Sequence, residues 1–356
     1  MKTFHSKKHA LRRPPLEYFR GQLVPAFEHP GRIDMILDRM GQLYPGTVSE
    51  PDDFGMAPVE AVHDPAYLDF LRTCWDDWQA SGRTGDAVPV CWPARRSSDK
   101  APTDIGGKMG YYGIAIDTSI DQGTWEAALS SKDAALSALR AVLGGERAAF
   151  GLCRPPGHHA ARDQFGGYCF LNNAAIAAQY ARDQGVGKVA IFDVDFHHGN
   201  GTQDIFYARD DVLFLSIHGD PKLVFPYFIG HEDEIGEGAG VGFNRNYVFP
   251  RDTAYGPWRD ALVAGLSRVR DFGADLLIVS LGVDTFEQDP ISFFRLHSED
   301  FTDMGRVIAW AGLPTVFVLE GGYAVADIGV NVVNVLTGFE SAAEMTAHGL
   351  DVRDRA

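Results

Sequence analysis

Four short, uninterrupted apolar runs constrain this chain more than any other feature. They are Lys188-Val189-Ala190-Ile191-Phe192, Val212-Leu213-Phe214-Leu215-Ser216-Ile217, Leu276-Leu277-Ile278-Val279-Ser280-Leu281 and Thr315-Val316-Phe317-Val318-Leu319. A strand with one face in water alternates apolar and polar residues, whereas a run that is apolar throughout suits a strand buried on both faces, as in a parallel sheet. Helical patterns lie between the runs. Residues 173–184 are Ala-rich and stop before Gly185; Trp258, Ala261, Leu262, Leu266, Val269 and Phe272 recur at helical spacing opposite Arg259, Arg268 and Arg270; Phe301, Met304, Val307, Ile308 and Leu313 precede Pro314. From about Ala149 onward this alternation predicts an α/β fold, a single domain with a central, mostly parallel sheet and helices on both faces.

Polar residues follow the runs: Asp193 and Asp195 after the first, His218 after the second, Asp284 after the third, and Glu320-Gly321-Gly322-Tyr323 after the last. In open α/β sheets the ligand crevice lies beyond the carboxyl ends of the strands, so these groups are expected to converge.

Composition narrows the function classes. With 45% hydrophobic and 22% charged residues in 356, the chain is neither disordered nor fibrous. No repeat or linker divides it, so 1–356 is read as one domain. The first part is hard to read, except that residues 83–107 open with a Gly-, Pro-, Arg- and Ser-rich stretch, Arg83 to Pro102, expected to serve as an excursion from the core for dimerisation and the site's entrance. A formal charge of −16 would repel a phosphate backbone and attract cationic substrates, so no nucleic-acid partner is expected. Cys74, Cys91, Cys153 and Cys169 form no CxxC pair and are expected to be buried, reduced thiols. Neither a secretory signal nor an apolar stretch of ~20 residues is present, so a cytoplasmic protein without a membrane partner is expected.

The run Asp193-Val194-Asp195-Phe196-His197-His198-Gly199-Asn200-Gly201 alternates carboxylates and imidazoles. Residues two apart in an extended segment share a face, so Asp195 and His197 can reach one metal, and Asp284 would complete three ligands with an open position. Such a donor set fits zinc, with Fe(II) or Co(II) as substitutes; the bland reading is helix caps and surface ion pairs. Arg154-Pro155-Pro156-Gly157-His158-His159 presents two imidazoles on a rigid loop. They could be a separate metal site, satisfied core residues, or the acid and base that amide hydrolysis needs. Asp193 and Asn200 could stand behind them and fix their orientation. Tyr323, on a flexible Gly-Gly turn, would ordinarily be packing; only its location suggests an oxyanion donor.

Together these motifs, with Phe165-Gly166-Gly167-Tyr168-Cys169-Phe170-Leu171-Asn172-Asn173 and Leu281-Gly282-Val283-Asp284, resemble the histone deacetylase family of the arginase/deacetylase fold. Leu23-Val24-Pro25, residues 123–130, Asp284-Thr285-Phe286-Glu287-Gln288-Asp289-Pro290 and the excursion resemble the bacterial acetylpolyamine amidohydrolases in particular. The resemblance implies a zinc-dependent deacetylase of acetylated polyamines or similar small cationic acylated amines, with a protein acetyl-lysine deacetylase as the alternative. It implies one zinc on Asp195, His197 and Asp284, His159 as general base and acid beside His158, and Tyr323 on the oxyanion. Gly167 would accept the amide N–H; Tyr168, Phe225 and Ile291 would line the tunnel. Structural potassium is implied at Asp193, Asp195, His197, Ser216 and Ile217, and a second at Phe206, Arg209, Val212 and Phe243. Gly199 stands where a binuclear relative would carry a further carboxylate, which favours one metal. Glu17, in an N-terminal loop at an exposed mouth, is expected to meet a distal ammonium, while Gly106 stands where some relatives carry an acid. A homodimer is expected.

Overall fold

The computed structural model describes residues 1–347; residues 348–356 of the expected domain lie outside the described residues. In chain order the strands are β1 (Lys2–Phe4), β2 (Leu16–Phe19), β3 (Gln22–Pro25), β4 (Val48–Ser49), β5 (Ala148–Gly151), β6 (Val189–Asp193), β7 (Val212–Gly219), β8 (Asn244–Phe249), β9 (Leu276–Leu281) and β10 (Thr315–Leu319). Eight of them form one sheet in the order β4-β1-β5-β10-β9-β6-β7-β8, and every neighbouring pair is parallel. β2 and β3 form a separate antiparallel hairpin.

The apolar runs become the central strands because both of their faces are covered. Ala190, Phe192, Leu213, Leu215, Leu277, Val279, Phe317 and Leu319 face a core shared with Trp258 and Leu262 of the helix Tyr255–Phe272 and with Phe301 and Met304 of the helix Asp300–Ala309. Their neighbours Val189, Ile191, Val212, Phe214, Leu276, Ile278, Val316 and Val318 face a second core with the helices Pro65–Ala80, Thr124–Leu143 and Asn173–Asp183. Successive strand side chains point to opposite faces, so a strand apolar at every position has to be covered twice. Each such side chain contributes roughly 1.5–3 kcal/mol over its exposed state, and a carboxylate at Ile278 would sit unpaired among them.

The early chain, unread from sequence, supplies β1, β4, the hairpin and three helices of ten or more residues. The excursion is irregular only as far as Asp104, not 107. The Asp104 carboxylate accepts the Gly106 and Gly107 N–H groups and starts the helix Ile105–Tyr112, which places Gly106 in a first helical turn. Cys74, Cys153 and Cys169 are buried as expected, but Cys91, on the excursion, is exposed. Register then positions the site: Asp193 lies beside Ser216 of β7 and Ser280 of β9, and Leu281 beside Leu319 of β10, so four carboxyl ends lie side by side.

Candidate active site

Beyond those ends the structure brings Asp195, His197 and Asp284 together. Their donor atoms all lie within 4.8 Å of one another, and all three residues are buried. His197 Nδ1 stands 2.9 Å from Asp284 Oδ2 and 3.4 Å from Asp195 Oδ1. Backbone N–H groups aim the carboxylates: Phe196 donates to Asp284 Oδ1, and His197 and Gly321 donate to the two oxygens of Asp195, each at 2.8 Å. Gly321 lies so near both carboxylates that a Cβ there would collide with them. Burial pushes the Asp284 carboxyl up to about 6, with the charge of Asp195 adding to the shift. Burial opposes charge on His197, yet its bonds to Asp195 and Asp284 carry it up to about 9. Two buried carboxylates around one imidazole, without a thiolate, therefore fit a divalent cation with an open position. At Gly199 a Cβ would run into the Asp193 carboxylate, so a side chain there would require that carboxylate to move.

His158, Cys169 and Glu320 also cluster, but each is already engaged. Burial holds the Cys169 thiol well above its ordinary range. Glu320 Oε2 accepts the N–H groups of Gly157 (2.6 Å) and His158 (3.1 Å), fastening the tandem-histidine loop. His158 Nδ1 lies 2.9 Å from Asp193 Oδ2, and His159 Nδ1 lies 2.7 Å from Asn200 Oδ1. The two rings thus have unlike partners and unlike electrostatics. Burial opposes charge on His158, but Asp193, Asp195 and Glu320 together carry it up to about 10. His159 is driven well below its ordinary value, first by burial and then by the charges of His158 and His197, and stays neutral.

A cavity of ≈ 520 Å³ opens onto His159, His197 and Tyr323; Gly167, Tyr168, Phe225, Ile291 and Glu17 also line it. His159 packs edge-on against Phe225, with ring centroids 4.9 Å apart, and Tyr168 against Tyr323 at 5.5 Å. Tyr168 holds a φ of 68°, rare for a bulky side chain and typical of a constrained site. Tyr323 is not on a flexible turn. Its N–H donates to Asp289 Oδ2 at 2.7 Å, the Arg32 guanidinium lies 4.9 Å over its ring, and Arg32 donates to the Gly322 and Glu320 carbonyls at 2.6 Å each.

Glu17 differs from expectation. It lies on β2, not in a loop, and is 5% exposed. Its Oε1 accepts the Tyr168 hydroxyl at 2.8 Å and its Oε2 the Phe27 N–H at 3.0 Å. Burial, against these bonds, pushes the carboxyl up to about 7. Half-buried Asp117, unnoticed in the sequence, lines the same cavity, and burial pushes it up as well. Gly106 is not among the lining residues; its neighbours are Arg83 and Asp104.

Sequence reasoning also missed what holds the site's loops. Fully buried Glu28 accepts from Arg154 (2.7 and 3.1 Å), Arg12 (3.2 Å) and Arg32 (3.2 Å). Burial opposes its charge, but the three guanidinium groups hold it down at about 2. The only local signal is the Glu28–Arg32 spacing of four. His218 lies inside β7, between the Ser216 hydroxyl and the Gly230 carbonyl (2.8 Å each), and does not line the cavity. Of the residues named for potassium, Asp193, Asp195, His197, Ser216 and Ile217 are buried near neighbours around the β6 and β7 ends. In the second set, the Phe206 and Phe243 carbonyls already accept N–H groups of Arg209 (3.0 Å) and Phe214 (2.9 Å).

Comparison with known proteins agrees with this geometry. Residues 26–339 match the histone deacetylase domain family. The chain is 52% identical over 340 residues to acetylpolyamine amidohydrolase 2 of Pseudomonas aeruginosa, covering 96% of this chain and 99% of that one. It is 53% identical over 338 residues to acetylpolyamine amidohydrolase of Mycoplana ramosa, covering 95% and 99%. A crystal structure of acetylpolyamine aminohydrolase from Burkholderia pseudomallei superposes with a TM-score of 0.91 at 38% identity, covering 96% of this chain and 99% of that one.

Proposed function

The chain belongs to the histone deacetylase family, and on that premise we propose that it is a zinc-dependent amidohydrolase removing acetyl groups from acetylated polyamines or similar small acylated amines. One observation carries the reading. A single cavity ends on His159, His197 and Tyr323, has aromatic walls, and bears the acids Glu17 and Asp117. A slender apolar stem with a distal ammonium fits that sequence of surfaces, and the names of the similar enzymes support it.

Asp195, His197 and Asp284 would hold the zinc, which when bound acts as a Lewis acid. Neutral His159, fixed by Asn200, takes the proton released as water adds to the amide carbon. It returns that proton to the departing nitrogen as the C–N bond breaks. Cationic His158, fixed on Asp193, supplies positive charge beside it. The Tyr323 hydroxyl donates to the carbonyl oxygen as negative charge gathers there. The Gly167 carbonyl accepts the substrate amide N–H; Tyr168, Phe225 and Ile291 flank the methylene stem, and Glu17 meets the ammonium. Potassium on Asp193, Asp195, His197, Ser216 and Ile217 would brace the loop after β6; Phe206, Arg209, Val212 and Phe243 form the second candidate set. The excursion, with Val90 70% and Trp92 38% exposed, is assigned to a homodimer interface. No helix among the described residues is long and apolar enough to cross a membrane, and we assign the enzyme to the cytoplasm, with no nucleic-acid partner.

Amine release from N-acetylputrescine, N-acetylspermidine and an acetyl-lysine peptide, measured alongside bound metal, tests the assignment. Acetylated polyamines should be turned over faster than the peptide. Equal or faster peptide turnover would favour the protein deacetylase instead.

A further inference from the structure

Two arginines line the cavity, and the proposed reaction uses neither. Arg20 and Arg251 share it with Glu17 and Asp117. Both are exposed, and each lies against an aromatic ring: Arg20 Cζ is 4.8 Å from the Phe19 centroid, and Arg251 Cζ is 4.7 Å from that of Phe293. Among the described residues neither has a carboxylate partner. Their positive charge therefore faces whatever enters.

The placement of Arg20 is conspicuous on backbone grounds. It follows β2 in a two-residue turn with φ of 48° at Arg20 and 84° at Gly21. Two left-handed residues are the mark of a hairpin turn that favours Asn, Asp or Gly at both positions. A left-handed φ at an arginine costs stability relative to those residues. Glu17 is buried on β2, and Arg20, three residues on and past the strand's end, is exposed, at most about 10 Å of chain away. The cavity is thus zoned, with acids within and guanidinium groups at the rim.

We infer that Arg20 and Arg251 form a cationic rim that selects acylated amines with one ammonium within reach of Glu17 and disfavours those with further ammonium groups beyond it. This rests on the amidohydrolase reading and narrows its substrate class to short acylated diamines. The formal charge of −16 draws cations at long range, whereas the rim acts only within about a Debye length of ~8–10 Å. A diamine ends before the rim, while a long polyamine carries its remaining charges through it.

The test compares kcat/KM for N1-acetylspermine and N-acetylputrescine in zinc-loaded, full-length enzyme. Replacing both arginines (Arg20→Gln with Arg251→Gln) should raise the spermine-to-putrescine ratio by roughly tenfold, since exposed charge pairs contribute only modestly each. Replacing both by lysine should keep the wild-type ratio, and added salt should move the wild type toward the glutamine variant. A ratio unchanged within about twofold, or lysine behaving like glutamine, would overturn the inference while leaving the amidohydrolase reading intact. Absence of turnover with every acylated amine would sink both.

Discussion

Glu17→Gln separates what this carboxylate does for the fold from what it does for a substrate. The Glu17 side chain is 5% exposed and its carboxyl is pushed from an ordinary 4.5 to about 7, chiefly by burial. The unfolded chain releases this proton more readily than the folded one, so the group lowers stability as pH rises from 4.5 to 7, and the deficit is complete above 7. At about 1.4 kcal/mol per unit, the deficit is at most about 3.5 kcal/mol. Glutamine keeps the shape, and its oxygen can accept the Phe27 N–H while its NH2 donates to the Tyr168 hydroxyl oxygen, so the variant should be more stable than wild type at pH 8. That difference should close below pH 4.5. Binding should move the other way. A charge-assisted hydrogen bond from a substrate ammonium contributes about 1.5–3 kcal/mol, or roughly 10- to 150-fold in KM, with kcat less affected. This exceeds the effect expected of an exposed mouth. In wild type, KM for N-acetylputrescine should rise about tenfold between pH 8 and pH 6 as Glu17 gains its proton. The assay pairs N-acetylputrescine with neutral N-pentylacetamide, which has the same length, alongside denaturant unfolding at several pH values. If both substrates respond equally to the substitution, Glu17 is a packing residue; if stability at pH 8 does not rise, the burial argument is wrong.

The other predictions test the floor of the site and its support. Tyr323→Phe should fold and retain zinc by metal analysis yet lose on the order of 100- to 1,000-fold in kcat, the usual cost of one oxyanion donor; unchanged turnover would refute the assignment. Asp284→Ala and His197→Ala should lose metal and activity together, because two remaining ligands cannot hold a catalytic zinc tightly; stoichiometric zinc in either variant would show the ligand set to be wrong. Glu28→Gln should destabilise the fold by about 3–5 kcal/mol in chemical denaturation, since it leaves three buried guanidinium groups without their shared anion. A loss below about 1 kcal/mol would mean that the arginines find compensation in the carbonyls they already contact.

The central strands and the residues that follow them were legible because the cause is local. A strand covered on both faces must be apolar at successive positions, so β6, β7, β9 and β10 announce themselves, and the polar residues after three of the runs fall at the carboxyl ends where a parallel sheet forms its crevice, whereas His218 stays inside β7. Asp195, His197, Asp284 and Tyr323 could therefore be named before any coordinates, and the tandem histidines from their own Pro- and Gly-fixed loop. The edge strand β8, Asn244–Phe249, carries no such run because only alternate positions at its start, Asn244 and Asn246, are buried. Glu28 meets its arginines across separations of 4, 16 and 126 residues, and Tyr168 meets Glu17 across 151. No periodicity records such contacts. Burial of a charge is a property of everything packed around it, and so the depth of Glu17, the clamp on Tyr323 and the opposite protonation of two adjacent histidines were decided only when distant segments closed over the ends of the sheet.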